Sequence, residues 1–255
     1  MGTSGWLALP APATTQVLAV LLRVDRLSSW RANMAPLAMP HWEAVTPEAR
    51  DLLALLGQLP LLRPFYLAGG TALALRLGHR ISQDLDLFAN IETLDDHLRR
   101  GIVDELRKDH AVDLLQDSVL GLVLKVDGQP VSFFSYGYPL LAPTDLVSNI
   151  QVAGVLDIGL MKLDAIAGRG TRKDFYDLYF IASHIPLDEL FARSSTKYPQ
   201  SHGFGMRVLT ALVDFDIADQ QDEPTMLRPV EWDQVKAFFV AQARRLGQKW
   251  FGQDR

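Results

Sequence analysis

The sequence contains no cysteine. That excludes disulfide bridges, thiolate zinc sites and cysteine nucleophiles at once. It has no broad excess of positive charge either: 25 Lys and Arg face 30 Asp and Glu, a net charge of −5. A surface that coats nucleic acid along its whole length is therefore excluded, while a local basic cleft is not. No apolar run is long enough to cross a membrane. The longest early one, "VLAVLL" at 17–22, ends at Arg23 and Asp25, so neither a signal peptide nor a membrane span is expected. Internal repeats and low-complexity tracts are absent. Five of the six histidines show no ligand spacing. His79 differs only in its position beside Arg80, and a structural role is expected for it.

What is present is an ordinary globular composition, 48% hydrophobic and 22% charged over 255 residues. That length suffices for a real core. Residues 1–38, rich in Ala, Pro, Ser and Thr, read as a loosely ordered extension, and Met39 as an alternative start. "TPEARDLLALLGQL" (46–59) has a Thr46 cap and Pro47 in the first turn, the signature of a helix start. "FYLAGG" (65–70) reads as a strand running into a glycine turn, "TALALRLG" (71–78) as a short helix, and "QDLDLFAN" (83–90) as a period-two strand. A polar amphipathic helix is expected over 93–109. Strands follow over 111–138, with "DGQP" turning a hairpin. Beyond 140 the character becomes helical: 144–150, 157–169 (with Asp157 as its cap), 173–184, 186–198 and 231–250, with 193–207 read as a loop carrying basic and aromatic residues.

The chemistry concentrates at "LAGGTALALRLGHRISQDLDLF" (67–88). In a strand, Asp84 and Asp86 project to one face while Leu85 and Leu87 go to the other. Two carboxylates that close repel unless a cation lies between them. Oxygen-only ligation suits Mg²⁺ or Mn²⁺, whose shell is completed by water and substrate phosphates. Gly69 and Gly70 allow close backbone approach, and Thr71 opens a helix whose first amides are free for phosphate. Arg80 and Ser82 lie on the approach to the same strand. Each feature has a plain alternative, a solvated edge strand or a simple turn.

A second constellation, "MKLDAIAGRGTRKDFYDLYF" (161–180), puts Lys162 and Arg169 on one helical face and Asp174 and Asp177 on another. A structural ion-pair network between the helices is its plain reading. Phe175, Tyr176, Tyr179 and Phe180 read as core.

Gly-Gly followed 13 residues later by Asp-x-Asp in an apolar strand resembles the motif of the polymerase-β-like nucleotidyltransferase superfamily. Together with "DIGLMKLDAIAGRGTRKDFYDLYFI" (157–181), it resembles the AbiEii/AbiGii toxin family across residues 42 to about 200. The resemblance implies an α+β fold: a minimal nucleotidyltransferase core with a mixed sheet flanked by helices over 39–140, then a helical region over 141–255. It implies a cytoplasmic toxin of a bacterial toxin–antitoxin or abortive-infection pair, with a cognate antitoxin. Such an enzyme would transfer NMP from an NTP to an RNA (possibly tRNA) or protein hydroxyl. Asp84 and Asp86 would bind Mg²⁺, and Gly69, Gly70, Thr71, Arg80 and Ser82 would line the phosphates. Lys162 would hold the triphosphate, and Asp174 would orient a basic side chain or assist the chemistry. A basic cleft of Arg80, Lys162, Arg169, Arg172 and Lys173 would suit RNA. One item departs from the pattern: the strand over 130–136 holds no third carboxylate, and Asp113 and Asp127 are the nearby acids. That gap motivates the alternative of a catalytically weak binding module acting through a protein partner.

Overall fold

The computed structural model describes residues 35–251. The expected extension therefore lies, up to residue 34, outside the described residues; Pro36 and Leu37 pair with Leu146. Helix α1 (Pro47–Leu56) begins where its cap predicts, with Thr46 Oγ1 accepting from the Ala49 amide. Strand β1 (Phe65–Ala68) passes directly into α2 (Gly69–Leu77), which ends on Gly78 in the left-handed conformation. Then follow β2 (Leu85–Ala89), α3 (Asp96–Leu106), β3 (Val112–Asp117), β4 (Gly121–Val126) and β5 (Gln129–Ser135). Asp127 and Gly128, both at positive φ, turn the β4–β5 hairpin.

The helix expected over 144–150 is instead two strands, β6 (Asp145–Val147) and β7 (Ile150–Val152). Ser148 and Asn149 at positive φ make the tight turn between them. Helical spacing loses here because β7 pairs in parallel with β1, burying Ile150 and Val152 in the sheet. The seven strands run β3-β4-β5-β2-β1-β7-β6. The sheet thus continues past residue 140, and the described residues from Pro36 on belong to one compact unit.

The remaining helices are α4 (Val155–Gly168), α5 (Arg172–Ala182), α6 (Leu187–Lys197), α7 (Phe204–Ala211), the short α8 (Asp216–Asp219) and α9 (Trp232–Phe251). The loop expected within 193–207 shrinks to the residues between α6 and α7. Asp157 does not cap α4: Gly154 holds that position. Asp157 is fully buried, accepts from the Leu141 and Ala142 amides and pairs with Lys197 Nζ at 2.7 Å. Among the described residues no helix is long and apolar enough to cross a membrane.

Position on the sheet follows from the period-two alternation. Leu85, Leu87 and Ala89 of β2, with Val131 and Phe133 of β5, are buried in the core. Each of these side chains larger than alanine contributes roughly 1.5–3 kcal/mol when removed from water. That burial fixes the strand register and forces the intervening residues to the opposite face.

Candidate active site

Asp86 and Phe88 therefore face away from Leu85 and Leu87, and Asp84 stands just ahead of the strand. In the parallel β2–β5 ladder, Asp86 is level with Ser132 and Phe88 with Phe134. In the antiparallel β1–β2 ladder, Ala68 is level with Asp86, so the chain turns into α2 directly beside that carboxylate. Gly69 makes the turn at φ +66°, and a Cβ there would stand 2.8 Å from Asp86 Oδ2. Gly70 is required for a different reason: a Cβ would collide with the Arg80 guanidinium and sit 3.1 Å from Ser82 Oγ. Thr71 is fully buried and does not line the cleft, which corrects its expected place against phosphate. Its hydroxyl instead bonds the Asp84 carbonyl at 2.5 Å and lies 2.9 Å from Ser82 Oγ, tying the helix start to the Asp84 backbone.

Helices α4 and α5 form the facing wall, organised around two buried carboxylates. Asp177 receives Arg80 in bidentate fashion (2.6 and 2.9 Å), His79 Nε2 (2.8 Å) and Lys162 Nζ (2.6 Å). Asp174 receives Lys162 Nζ (2.8 Å), two bonds from Arg169 (2.9 and 3.0 Å) and Thr171 Oγ1 (2.5 Å). Burial alone would raise both acids. The charges of Arg80 and Lys162 on Asp177, and of Lys162 and Arg169 on Asp174, overcome it and hold both below the usual carboxylate range. Lys162 is driven the same way: burial opposes its charge, but Asp177 and Asp174 keep it protonated. Burial pushes the pKa of His79 down, and its Nε2 bonds Asp177 within this network, in keeping with the structural role expected for it. Three strong bases against two carboxylates leave a surplus of positive charge in this wall.

Between the two walls lies a cleft of about 580 Å³, a size typical of small-molecule sites. Gly69, Gly70, Arg80, Ser82, Asp84, Asp86, Lys162, Arg169 and Lys173 all line it. Segments 80 residues apart in the chain thus converge, as the two motifs suggested. Asp174 sits behind Lys162 and Arg169 and does not line the cleft. Arg172 also leaves the expected basic set: its guanidinium stacks over Trp232 and bonds the Gln221 carbonyl. Arg169 and Lys173 are the well-exposed cations, and Lys173 Nζ stands 3.4 Å from Asp84 Oδ2.

The sheet side lacks matching charge. Burial, and then the Asp84 charge, push Asp86 above the usual carboxylate range. Gathering two carboxylates with that tension, beside a turn that any side chain would fill, fits a hard divalent cation. No group of three or more His, Asp or Glu side chains is arranged for a metal among the described residues. The third carboxylate is not supplied by Asp113, which lies on the edge strand β3, nor by Asp127, which accepts from the Ala111 amide in its turn. Ser132 occupies the level of Asp86 on the neighbouring strand. Asp164 of α4 does line the cleft and was missed in the sequence, as were Phe88, Phe134 and Tyr136. The i+2 spacing of Phe88 from Asp86 was the available signal.

The chain is 37% identical over 198 residues to an uncharacterized protein of Aquifex aeolicus, covering 75% of this chain and 92% of that one. Among solved structures, JHP933 from Helicobacter pylori is similar at 17% identity, 82% of this chain, 96% of that chain and a TM-score of 0.46. MenT4, a nucleotidyltransferase toxin of Mycobacterium tuberculosis, is similar at 19% identity, 78% of this chain, 87% of that chain and a TM-score of 0.46. The family model of the nucleotidyl transferase AbiEii toxin of type IV toxin–antitoxin systems matches residues 50–247, and the chain belongs to that family of nucleotidyltransferases.

Proposed function

We infer that the protein is a magnesium-dependent nucleotidyltransferase that moves NMP from an NTP to a hydroxyl of RNA, a tRNA end foremost, or of a protein. The observation that carries this reading is the placement of Asp84 and Asp86 in one cleft with Gly69, Gly70 and the cations of α4 and α5. Asp84 and Asp86 would hold Mg²⁺ or Mn²⁺. A divalent ion there would supply Lewis-acid polarisation of the α-phosphoryl oxygens and charge neutralisation of the leaving pyrophosphate. The chain's own part is positioning. Gly69 and Gly70 open the approach beside Asp86, and Ser82 offers a hydroxyl. Arg169 and Lys173 meet the phosphates from the exposed side, with the charge of Lys162 and Arg80 behind them. Asp174 acts through Lys162 and Arg169, fixing their orientation. An acidic chain would then hold polyanionic substrates through this local positive wall. The reading places the toxin in the cytoplasm, paired with a cognate antitoxin.

Incubation with labelled NTPs, Mg²⁺ and total RNA or protein tests it. Label transfer lost in Asp86→Ala is the expected result. The absence of both transfer and metal-dependent NTP binding in the natural sequence would overturn it. A second reading, a binding module with weak catalysis, rests on one observation: the β5 residue level with Asp86 is Ser132 and not an acid that could activate the attacking hydroxyl. It predicts metal-dependent NTP binding without transfer.

A further inference from the structure

The cleft face of the sheet continues beyond the carboxylates. Asp86 and Phe88 are i and i+2 on β2, so their side chains leave the same face about 6.6 Å apart along the strand. On β5, Ser132 and Phe134 repeat the step in register. Phe88, Phe134 and Tyr136 are half-buried and line the cleft together. They form one wall: Phe88 to Phe134 is 5.3 Å between ring centroids, and Phe88 to Tyr136 is 5.4 Å. The wall is held from outside the cleft. Tyr66 stacks beside Phe88 at 6.1 Å, the Tyr136 hydroxyl bonds that of Tyr198 at 2.8 Å, and Lys197 Nζ lies 5.6 Å from the Tyr136 ring.

The order along the sheet matters. Because β1 runs antiparallel to β2, the Gly69–Gly70 turn lies at the Asp84 end of β2. Gly70 and Ser82 stand at that end, Asp84 and Asp86 follow, and the aromatic rings come last. A nucleoside triphosphate has the same linear order: outer phosphates, α-phosphate, then, one ribose further on, a flat base. Aromatic side chains stack on any base with little sequence preference.

We propose that Phe88, Phe134 and Tyr136 form the stacking wall for the base of the incoming NTP, placing its α-phosphate beside Asp84 and Asp86. This rests on the nucleotidyltransferase reading above and adds the direction in which the nucleotide lies.

The test compares two ligands, with Mg²⁺ and no acceptor present: NTPs, and ribose 5-triphosphate, which lacks a base. Calorimetric affinities are measured for the unaltered protein, Phe134→Leu, which keeps apolar volume but removes the ring face, and Phe134→Trp. Phe134→Leu is expected to weaken NTP binding roughly tenfold and leave ribose 5-triphosphate unchanged, with Phe134→Trp restoring NTP affinity. Unchanged NTP affinity in Phe134→Leu overturns the proposal; if the acceptor KM rises instead, the wall holds the acceptor's base. Equal weakening of both ligands overturns it too, because the substitution then deforms the cleft. If the unaltered protein binds neither ligand, the nucleotidyltransferase reading itself fails, and this proposal with it.

Discussion

Asp84 and Asp86 on the sheet, and Asp174 and Asp177 on α5, are paired aspartates facing one another across the same region, yet their circumstances are opposite. The α5 pair is fully buried, accepts from Lys162, Arg80, Arg169, His79 and Thr171, and is held strongly ionised. The sheet pair has one ion-pair partner among the described residues, the exposed Lys173 on Asp84, and burial and the Asp84 charge push Asp86 toward protonation against the pull of Lys162, Lys173 and Arg169. A saturated carboxylate is part of the framework; it has no lone pair left to offer. An unsaturated one beside a like charge is unstable until something positive arrives. The difference separates the groups that hold the cleft from the groups that await a ligand.

The comparison breaks most directly at its two inner members. Asp86→Asn should lower nucleotidyl transfer by about 10²–10³-fold, the order expected when electrostatic stabilisation of a transferring group is removed, while the protein stays folded. Labelled-NTP assays and circular dichroism measure the two halves of that statement. Asp177→Ala should do the reverse: it leaves Arg80 buried without its carboxylate and Lys162 with Asp174 alone, costing about 3–5 kcal/mol in urea denaturation. Activity lost in Asp177→Ala with no loss of stability would erase the distinction.

A smaller effect sharpens it. Mg²⁺ at a hundredfold over its Kd should stabilise the protein by about 2.7 kcal/mol, a gain absent in Asp86→Asn. Thermal scans with and without the ion read it.

The smallest is a pH dependence of opposite sign for the two pairs. Asp174 and Asp177 have folded pKa values below their unfolded ones. Their stabilisation is complete above about pH 4 and is lost as pH falls through the folded values. Asp86 has a raised folded pKa, so it binds its proton more tightly when folded and weakens the fold as pH rises above about 4. In metal-free buffer Asp86→Asn should therefore be the more stable protein at pH 7. The Tm gain is roughly 2–4 °C for each ~1 kcal/mol of repulsion relieved, and it should vanish near pH 4.

Much of this was readable from residue order. The β2 alternation, the Thr46 cap and the glycine turn carry local signals, and both aspartate motifs announced themselves by spacing. What spacing could not decide was partnership. The shared helical face of Lys162 and Arg169 suits an anion-binding surface or an ion-pair hub equally well; only the packing of α5 against α4 brings Asp174 to both. Thr71 and Arg172 read as ligand groups because their types are right, but burial of one and the Trp232 face under the other assign them elsewhere. The segment 144–150 was misread because its strand character comes from β1, a partner some 80 residues earlier.

The separation between Arg80 and Asp177, 97 residues along the chain, bears on when the cleft becomes complete. Chains emerge from the ribosome N-terminus first. Asp84, Asp86 and the glycine turn are made early, but β7 has not yet covered the flank of β1, and Arg80 has no counter-ion until α5 appears. The cleft closes only through the later-made half of the chain: an interrupted or truncated chain ending before α5 holds Asp84 and Asp86 and no assembled site.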